Sequence, residues 1–246
     1  MLSLKKFIIN KKDIPKISII IPFRDLHKEQ HRSSQLKQFI KYMKSYIKKH
    51  NIDNIHIFII EQSNDNKGFN RGILLNAGFD IAKENYNTYI FHDVDLLPSD
   101  ELAKYYSQIP NNITHIAKVW NRYNSNPKYL GGIVSFNESD YIKINGYPND
   151  FEGHGGEDDS MYNRIRINKL KIDYPTEGSI TDLENMNLEQ KLNYLRKNKH
   201  LRNQIKWELL AKDKCNWKNN GLSDLSYKVL KTQKINKLAT KITIEI

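Results

Sequence analysis

Three short apolar runs, separated by two segments with helical spacing, constrain the fold of this chain more than any other feature. The runs are residues 16–22, 55–60 and 88–92, and the first of them ends at a proline. Short, predominantly apolar runs are typical of strands that are buried on both faces of a sheet. The segments 31–49 and 71–84 between them carry apolar residues at helical spacing. This order of elements predicts an α/β fold with a mostly parallel central sheet and helices on both faces.

Polar residues follow each predicted strand: Arg24-Asp25, Glu61-Gln62 and Asp93-Val94-Asp95. Ligands of parallel α/β sheets bind beyond the carboxyl ends of the strands, so these residues are predicted to form a ligand crevice. If the strand pattern continued to residue 95, Asp93 and Asp95 would share one face. Two carboxylates on one face repel each other unless a cation lies against them, and this predicts a metal site. No G-x-G-x-x-G follows the first run, which argues against a dinucleotide site.

A second group of acids follows a glycine-rich loop. Glycines stand at positions 153, 155 and 156, and Glu157, Asp158 and Asp159 come directly after them at the start of a predicted helix. Acidic residues in a first helical turn also stabilise the helix dipole, which is the alternative interpretation. Three consecutive acids exceed what capping needs, and a carboxylate here could accept a proton from a substrate hydroxyl.

The net charge of +11 indicates an anionic partner: nucleic acid, a membrane surface or a phosphorylated substrate. Much of the excess lies in residues 41–49 and 191–218, which we interpret as solvated helix faces. The segment 191–218 could also make weak contact with a membrane surface or a lipid-linked acceptor. A nucleic-acid binder is not supported, because the chain lacks the aromatic-basic interleaving, zinc ligands or helix-turn-helix pattern of such proteins.

We expect a leader at residues 1–15 and a single catalytic domain at 16–246, with a nucleotide-binding half at 16–98 and an acceptor-binding half at 99–246. The sequence contains one cysteine, Cys215, so no intrachain disulfide can form. It shows neither a transmembrane run nor the apolar core of a signal peptide. These features favour a reducing, cytoplasmic location.

The chain also resembles the β-1,4-galactosyltransferase family, whose catalytic domain has the GT-A fold. The matching stretches occur in the family's order from residue 16 to residue 246: IIPFRD (20–25), FNRGILLNAGF (69–79), FHDVDLLP (91–98), YLGGIVSF (129–136), INGYPND and GGEDDSMYNR (144–164), and GLSDLSYKVLKTQ with ITIEI (221–246). The resemblance implies a metal-dependent, inverting transfer of galactose from UDP-galactose to a glycan or glycoconjugate hydroxyl. The alternatives are a related transferase that uses UDP-GalNAc, UDP-GlcNAc or UDP-glucose, and a catalytically silent UDP-sugar binder.

The resemblance also implies roles for individual residues. Asp158 matches the catalytic base, and Asp95 matches a direct ligand of Mn²⁺, for which Mg²⁺ is an alternative. Tyr129 matches a tyrosine that favours UDP-galactose over its N-acetylated relative. The other implied donor-binding residues are Pro22, Phe23, Arg24, Phe69, Arg71 and Asp93, and the implied acceptor-binding residues are His154, Glu157 and Asp159.

Three positions depart from the family's pattern. Leu26 replaces a second arginine of the first motif, so one diphosphate contact must come from elsewhere or be lost. His154 replaces a tryptophan, which removes stacking area and adds a titratable donor. No histidine occurs within residues 176–190 to complete the metal site. Asp182 or Glu184 could supply an oxygen ligand instead, although both are equally well explained as turn and helix-start residues.

Overall fold

The computed structural model describes residues 14–25, 30–123 and 125–246. Most of the expected leader, and also Leu26, therefore lie outside the described residues. The helices are α1 (Arg32–Lys49), α2 (Arg71–Ala82), α3 (Glu138–Lys143), α4 (Glu157–Ile167), α5 (Leu188–Lys197) and α6 (Lys206–Asn216). None of the helices in the described part of the chain combines the length and the apolar character that a membrane crossing requires.

The strands are β1 (Ile17–Phe23), β2 (Ile55–Gln62), β3 (Thr88–His92), β4 (Leu96–Pro98), β5 (Ile113–His115), β6 (Ile133–Asn137), β7 (Ile172–Asp173), β8 (Ile180–Asp182), β9 (Lys228–Lys234) and β10 (Ala239–Glu245). Eight of them form one sheet in the order β7-β5-β6-β3-β1-β2-β10-β9, and β4 pairs with β8 separately. The neighbours are parallel in four of the seven pairs of the large sheet. The predicted α/β architecture is thus confirmed, with three antiparallel pairs that the sequence pattern did not reveal.

Strand β1 is buried on both faces, as its apolar run predicts. Ile19 and Ile21 belong to one core, together with Phe39 and Met43 of α1. Ile20 belongs to the second core, on the other face of the sheet, which α2, α3 and α4 cover. Helices therefore pack on both faces, as predicted. The basic segment 191–218 begins within α5 and contains α6, and residues 198–205 separate the two helices.

Two glycines bring α2 close to its neighbours. A Cβ at Gly78 would lie 2.3 Å from the Ile20 side chain, and one at Gly72 would lie 2.1 Å from the Pro148 carbonyl oxygen. Side chains at these positions would push α2 away from the sheet, because such distances are well below van der Waals contact. Asn70 caps α2 by accepting a hydrogen bond from the Ile73 N–H at 3.0 Å. This packing places Arg71 at the carboxyl edge of the sheet.

A buried ion pair fixes α4 against α6. Arg164 is fully buried and binds Asp213 through two nitrogens, at 3.1 and 2.5 Å. It also donates to the carbonyl oxygens of Gly146 at 2.9 Å and Asn220 at 2.7 Å. Because all these partners come from separate segments, Arg164 holds the helix that carries the second acid group in a defined position.

Candidate active site

A cleft of about 750 Å³ opens beyond the carboxyl ends of β1 and β3, a volume typical of small-molecule sites. Most of the predicted site residues line it: Pro22, Phe23, Arg24, Phe69, Arg71, Asp93, Asp95, Tyr129, His154, Glu157, Asp158, Asp159 and Glu184. Asp182 is not among the lining residues but lies beside Asp95 and Glu184. The two acid groups, separated by more than sixty residues in the chain, therefore face one cleft.

The expectation that all three strand ends contribute to the crevice is wrong for part of the set. Asp25 accepts a hydrogen bond from the Ser33 hydroxyl and does not line the cleft. Glu61 binds Lys241 of β10 at 2.9 Å, because β10 pairs directly with β2. Gln62 is buried and donates to the Gly68 carbonyl oxygen at 2.9 Å. Glu61 and Gln62 therefore stabilise the sheet edge and the loop that follows β2, and Asp25 bonds to the first turn of α1.

Asp93 and Asp95 do not share a strand face, since β3 ends at His92. Each instead has its own arginine. Arg71 donates to Asp93 at 3.0 and 3.2 Å, and Arg32 donates to Asp95 at 2.6 Å. Burial raises the pKa of Asp93 to about 6 although Arg71 opposes the shift. At Asp95 burial acts in the same direction, but Arg32 outweighs it and lowers the pKa of that carboxyl below its usual range.

The glycine loop delivers the second acid group to the cleft. Gly153, Gly155 and Gly156 have φ values of 77°, 105° and 110°, a region that glycine adopts without the steric cost paid by other residues. Helix α4 begins directly afterwards, at Glu157, and its three acids stand in the first turn. The three acids can therefore stabilise the dipole of α4 and line the cleft at the same time.

Arg71 connects the two acid groups. It donates to Asp158 at 2.9 Å while also holding Asp93, and its distance to Glu157 is 3.9 Å. Burial and the neighbouring charge of Asp158 raise the pKa of Glu157 to about 8. Burial also raises the pKa of Asp158, and Arg71 opposes that shift. Near neutral pH, Glu157 is therefore protonated, and Asp158 is the member of the pair that Arg71 helps to keep ionised.

Tyr129 lies beside Asp158. Its ring stacks on Tyr123 with the centroids 4.5 Å apart, and its edge packs against His115. A Cβ added at Gly131 would lie 2.4 Å from the Asp158 Oδ2 atom and 2.9 Å from the Tyr129 hydroxyl. The missing side chain at Gly131 therefore allows the acid and the tyrosine to approach each other.

A candidate metal centre lies at the other end of the cleft. Asp95, Asp182 and Glu184 each offer one carboxylate oxygen, and the three oxygens lie within 4.8 Å of one another. Pairing of β4 with β8 places Asp182 opposite Leu96, next to Asp95. A set of carboxylate oxygens suits Mn²⁺ or Mg²⁺, so the residues present fit the metal that the sequence predicts. Asp182 also has the turn role that was the alternative, since it accepts from the Glu184 N–H at 2.8 Å.

Three basic residues that sequence reasoning missed surround these carboxylates. Arg32 contacts Asp95 and Glu184, and Arg122 contacts Asp182 and Glu184. Lys191 binds both oxygens of Glu184, at 2.7 and 2.8 Å. The basic segment 191–218 was interpreted as solvated, which is wrong for Lys191 because that residue is buried. For Arg122 the sequence carries no signal that distinguishes it from a surface arginine.

The backbone of His154 forms hydrogen bonds with the backbone on either side of residue 202. Its N–H donates to the Leu201 carbonyl oxygen at 2.7 Å, and its own carbonyl oxygen accepts from the Asn203 N–H at 3.1 Å. The side chain remains accessible to solvent inside the cleft. Desolvation within the cleft and the charge of Lys191 lower the pKa of His154.

Comparison with known proteins identifies two family models in the chain. Residues 10–108 match the N-terminal region of glycosyl transferase group 7. Residues 111–189 match a model described as the N-terminal domain of galactosyltransferase. Together the two models cover most of the chain, including both acid groups.

Individual relatives agree with these models. The chain is 32% identical to mouse β-1,4-galactosyltransferase 1 over 236 residues, which are 94% of this chain and 55% of the mouse protein. It is 30% identical to β-1,4-galactosyltransferase 4 of Cricetulus griseus over 244 residues, 95% of this chain and 64% of that protein. The chain thus spans roughly half to two thirds of the length of these relatives.

A solved structure confirms the GT-A fold. The match is a mutant of Drosophila β-1,4-galactosyltransferase 7 in complex with manganese, UDP-Gal and xylobiose. Its TM-score is 0.77 at 28% identity, and the alignment covers 95% of this chain and 94% of that one.

Proposed function

The chain belongs to the group 7 glycosyltransferases, the family of the β-1,4-galactosyltransferases, and on this premise we propose that it transfers galactose from UDP-galactose to a hydroxyl of a glycan or glycoconjugate. The observation that carries the proposal is the cleft itself. Asp95 lies in a group of carboxylates suited to a divalent cation, Asp158 lies in the second acid group, and both line the same cavity. A diphosphate leaving group and an attacking hydroxyl need these two kinds of site close together.

Asp158 acts as the general base. It accepts the proton of the acceptor hydroxyl as the oxygen attacks the anomeric carbon, and the bond from that carbon to the diphosphate breaks with its electron pair leaving on UDP. A single displacement of this kind inverts the configuration at the anomeric carbon. The burial that raises the pKa of Asp158 makes it a better base. Glu157, whose pKa is about 8, remains protonated and can donate a hydrogen bond to the acceptor.

Donor binding falls to the residues at the end of β1 and at the start of α2. Pro22 and Phe23 line the cleft there, and Arg24 is held by the Lys67 carbonyl oxygen at 2.6 Å and by Asp65 at 3.1 Å. A divalent cation bound by Asp95 with Asp182 and Glu184 supplies charge stabilisation for the departing diphosphate. Manganese is the metal we propose, because the Drosophila relative was solved with manganese and UDP-Gal.

Tyr129 is proposed to select the donor sugar. Its stacking on Tyr123 and its contact with His115 hold the ring in one position beside Asp158. A rigid aromatic side chain next to the base limits the room for a bulky substituent on the transferred sugar. The acceptor is proposed to be a saccharide, as in the Drosophila complex with xylobiose.

The proposal includes a reducing, cytoplasmic location. The one cysteine, Cys215, is exposed and forms no disulfide within the chain. Free cysteines are typical of proteins in reducing compartments. Fractionation of expressing cells with detection by antibody tests this part, and recovery of the protein from a secretory compartment would contradict it.

The direct test is turnover against a panel of UDP-sugars, with and without Mn²⁺, using simple saccharide acceptors. We expect galactose transfer from UDP-galactose that depends on the metal, and little transfer from UDP-GalNAc, UDP-GlcNAc or UDP-glucose. A different preferred donor would correct the substrate. Metal-dependent binding of UDP without any transfer would identify a silent binder.

The base is tested by Asp158→Asn. We expect turnover to fall by at least about 100-fold, since general base catalysis contributes that much or more, while UDP binding measured by calorimetry stays near the wild-type value. Asp53→Asn, the same substitution at an exposed residue outside the cleft, controls for the change of charge. Turnover retained in Asp158→Asn would remove Asp158 from this role.

A further inference from the structure

The carboxylates of the candidate metal centre are all engaged by cations of the protein itself. Asp95 pairs with Arg32, Asp182 with Arg122, and Glu184 with both arginines and with Lys191. Three negative and three positive side chains cancel one another. We call these six residues the balanced cluster: Arg32, Asp95, Arg122, Asp182, Glu184 and Lys191.

Charge balance opposes the binding of a metal ion by itself. Both carboxylate oxygens of Glu184 already accept hydrogen bonds from Arg32, Arg122 and Lys191, so a divalent cation bound by Glu184 must compete with these groups. If all three cations stayed, the metal would add two uncompensated charges to a largely buried site, which is strongly unfavourable. At least one cation must therefore leave its carboxylate and find another anion.

Lys191 is the member of the cluster best placed to leave. Among the described residues, Glu184 is the only carboxylate within ion-pair distance of its ammonium group. The ammonium group also lies 5.8 Å from the centre of the Tyr194 ring, near the outer limit of a cation–π contact. Arg122, in contrast, also donates to the Met186 carbonyl oxygen at 3.0 Å and lies 4.7 Å from the centre of the Trp120 ring. Arg32 has an additional bond to Gln35 at 2.9 Å. A lysine also has a flexible four-carbon stem and a compact charge, whereas the arginine fork is bound at two points.

We propose that Lys191 is an exchangeable counter-ion, which occupies Glu184 when the cleft is empty and moves to the nucleotide diphosphate when metal and donor bind. The inference rests on the proposed function, because it requires a nucleotide diphosphate in this cleft. Lys191 lines the cleft, so its ammonium group can reach a ligand there without unfolding of α5. A diphosphate supplies the anionic oxygens that the displaced ammonium group needs.

The consequence is positive coupling between metal and nucleotide. Metal alone must displace Lys191 into a site without a replacement anion, and nucleotide alone meets a lysine that is already neutralised by Glu184. Each ligand therefore lowers the free-energy cost of binding the other ligand. Coupling between two ligands is reciprocal and commonly amounts to about 5- to 150-fold in affinity.

The experiment is titration calorimetry of Mn²⁺ with and without saturating UDP, and of UDP with and without Mn²⁺. For the wild type we expect UDP to raise the affinity for Mn²⁺ by about tenfold or more, and Mn²⁺ to raise the affinity for UDP by the same factor. For Lys191→Met we expect the affinity for Mn²⁺ alone to rise by about fivefold or more, since an internal competitor is gone. The coupling factor should fall by a similar amount.

Lys212→Met is the matched control. Lys212 belongs to the same basic segment and pairs with a carboxylate, Asp150, but it is exposed and lies outside the cleft. It should leave both affinities unchanged. Lys191→Gln, which keeps a hydrogen-bond donor but loses the charge, should behave like Lys191→Met and provides a second variant if the methionine impairs folding.

Two results would overturn the inference: an affinity for Mn²⁺ alone that is unchanged or lower in both Lys191 variants, or a coupling factor that is equal in wild type and variants. These outcomes are separable from failure of the proposed function. If the wild type transfers galactose while UDP has no effect on Mn²⁺ binding, this result would reject only the counter-ion role of Lys191. Coupled binding that the Lys191 variants weaken, without galactose transfer, would reject the proposed function and retain the counter-ion role of Lys191.

Discussion

A single methyl group at Gly131 is expected to impair galactose transfer without unfolding the protein. The Cβ of an alanine there would lie 2.4 Å from the Asp158 Oδ2 atom and 2.7 Å from the Tyr129 ring. An ordinary carbon–oxygen contact is about 3.4 Å, so the carboxylate would have to move by roughly 1 Å. Gly131 does not have a positive φ, and the alanine backbone is therefore not strained by itself.

The size of the effect follows from that displacement. A shift of about 1 Å in a catalytic group can reduce turnover by roughly 100-fold, because the base no longer meets the acceptor hydroxyl at hydrogen-bond distance. Overpacking of one methyl group costs about 1–3 kcal/mol of folding stability. The assay is kcat for transfer from UDP-galactose, with UDP affinity measured by calorimetry and the midpoint of thermal unfolding measured alongside.

We expect Gly131→Ala to lower kcat strongly, to leave UDP affinity within about twofold and to keep a cooperative unfolding transition. A kcat within twofold of the wild type would refute the reasoning, since it would mean that Asp158 does not need the position observed beside Gly131. Loss of UDP binding together with kcat would show instead that the methyl group acts on the whole cleft.

Three further predictions concern stability, pH and donor choice. Arg164→Met leaves Asp213 buried without its partner and should cost about 3–5 kcal/mol in urea unfolding, whereas Lys83→Met, which breaks an exposed pair, should cost less than about 1 kcal/mol. Burial and Asp158 raise the pKa of Glu157 from 4.5 to about 8. In the pH range between these two values, the folded state keeps a proton that the unfolded chain has lost. The free energy of unfolding should therefore fall as pH rises through this range, by up to about 1.4 kcal/mol per pH unit, and Glu157→Gln should remove this slope in urea titrations at several pH values. Tyr129→Leu should raise transfer from UDP-GalNAc relative to UDP-galactose in competition assays, and an unchanged ratio would mean that Tyr129 does not select the donor.

The three central strands of the sheet and the helices between them could be predicted from local pattern. Continuous apolar runs became β1, β2 and β3, and the apolar residues of 31–49 at helical spacing became α1. Such patterns are readable because the period of the side chains and their burial are both properties of neighbouring residues. Strand β9 was missed since its residues are exposed throughout and follow no such period.

Part of the candidate site could also be predicted. The acids after β3 and those after the glycine loop were identified by their position at element boundaries, where polar side chains have no structural necessity. Their partners could not be found in this way. Arg71 donates hydrogen bonds to both Asp93 and Asp158. Lys191 is buried, although it belongs to a segment whose sequence predicts solvated helix faces.

The sequence by itself therefore determined the three central strands of the sheet, the two helices that connect them and the carboxylates that reach the carboxyl edge. Only the tertiary structure decided which cations meet those carboxylates. The physical reason is that the strand and helix patterns depend on near neighbours, whereas an ion pair such as Arg122–Asp182 depends on how β4, β8 and the loop around residue 122 are brought together by the folded chain.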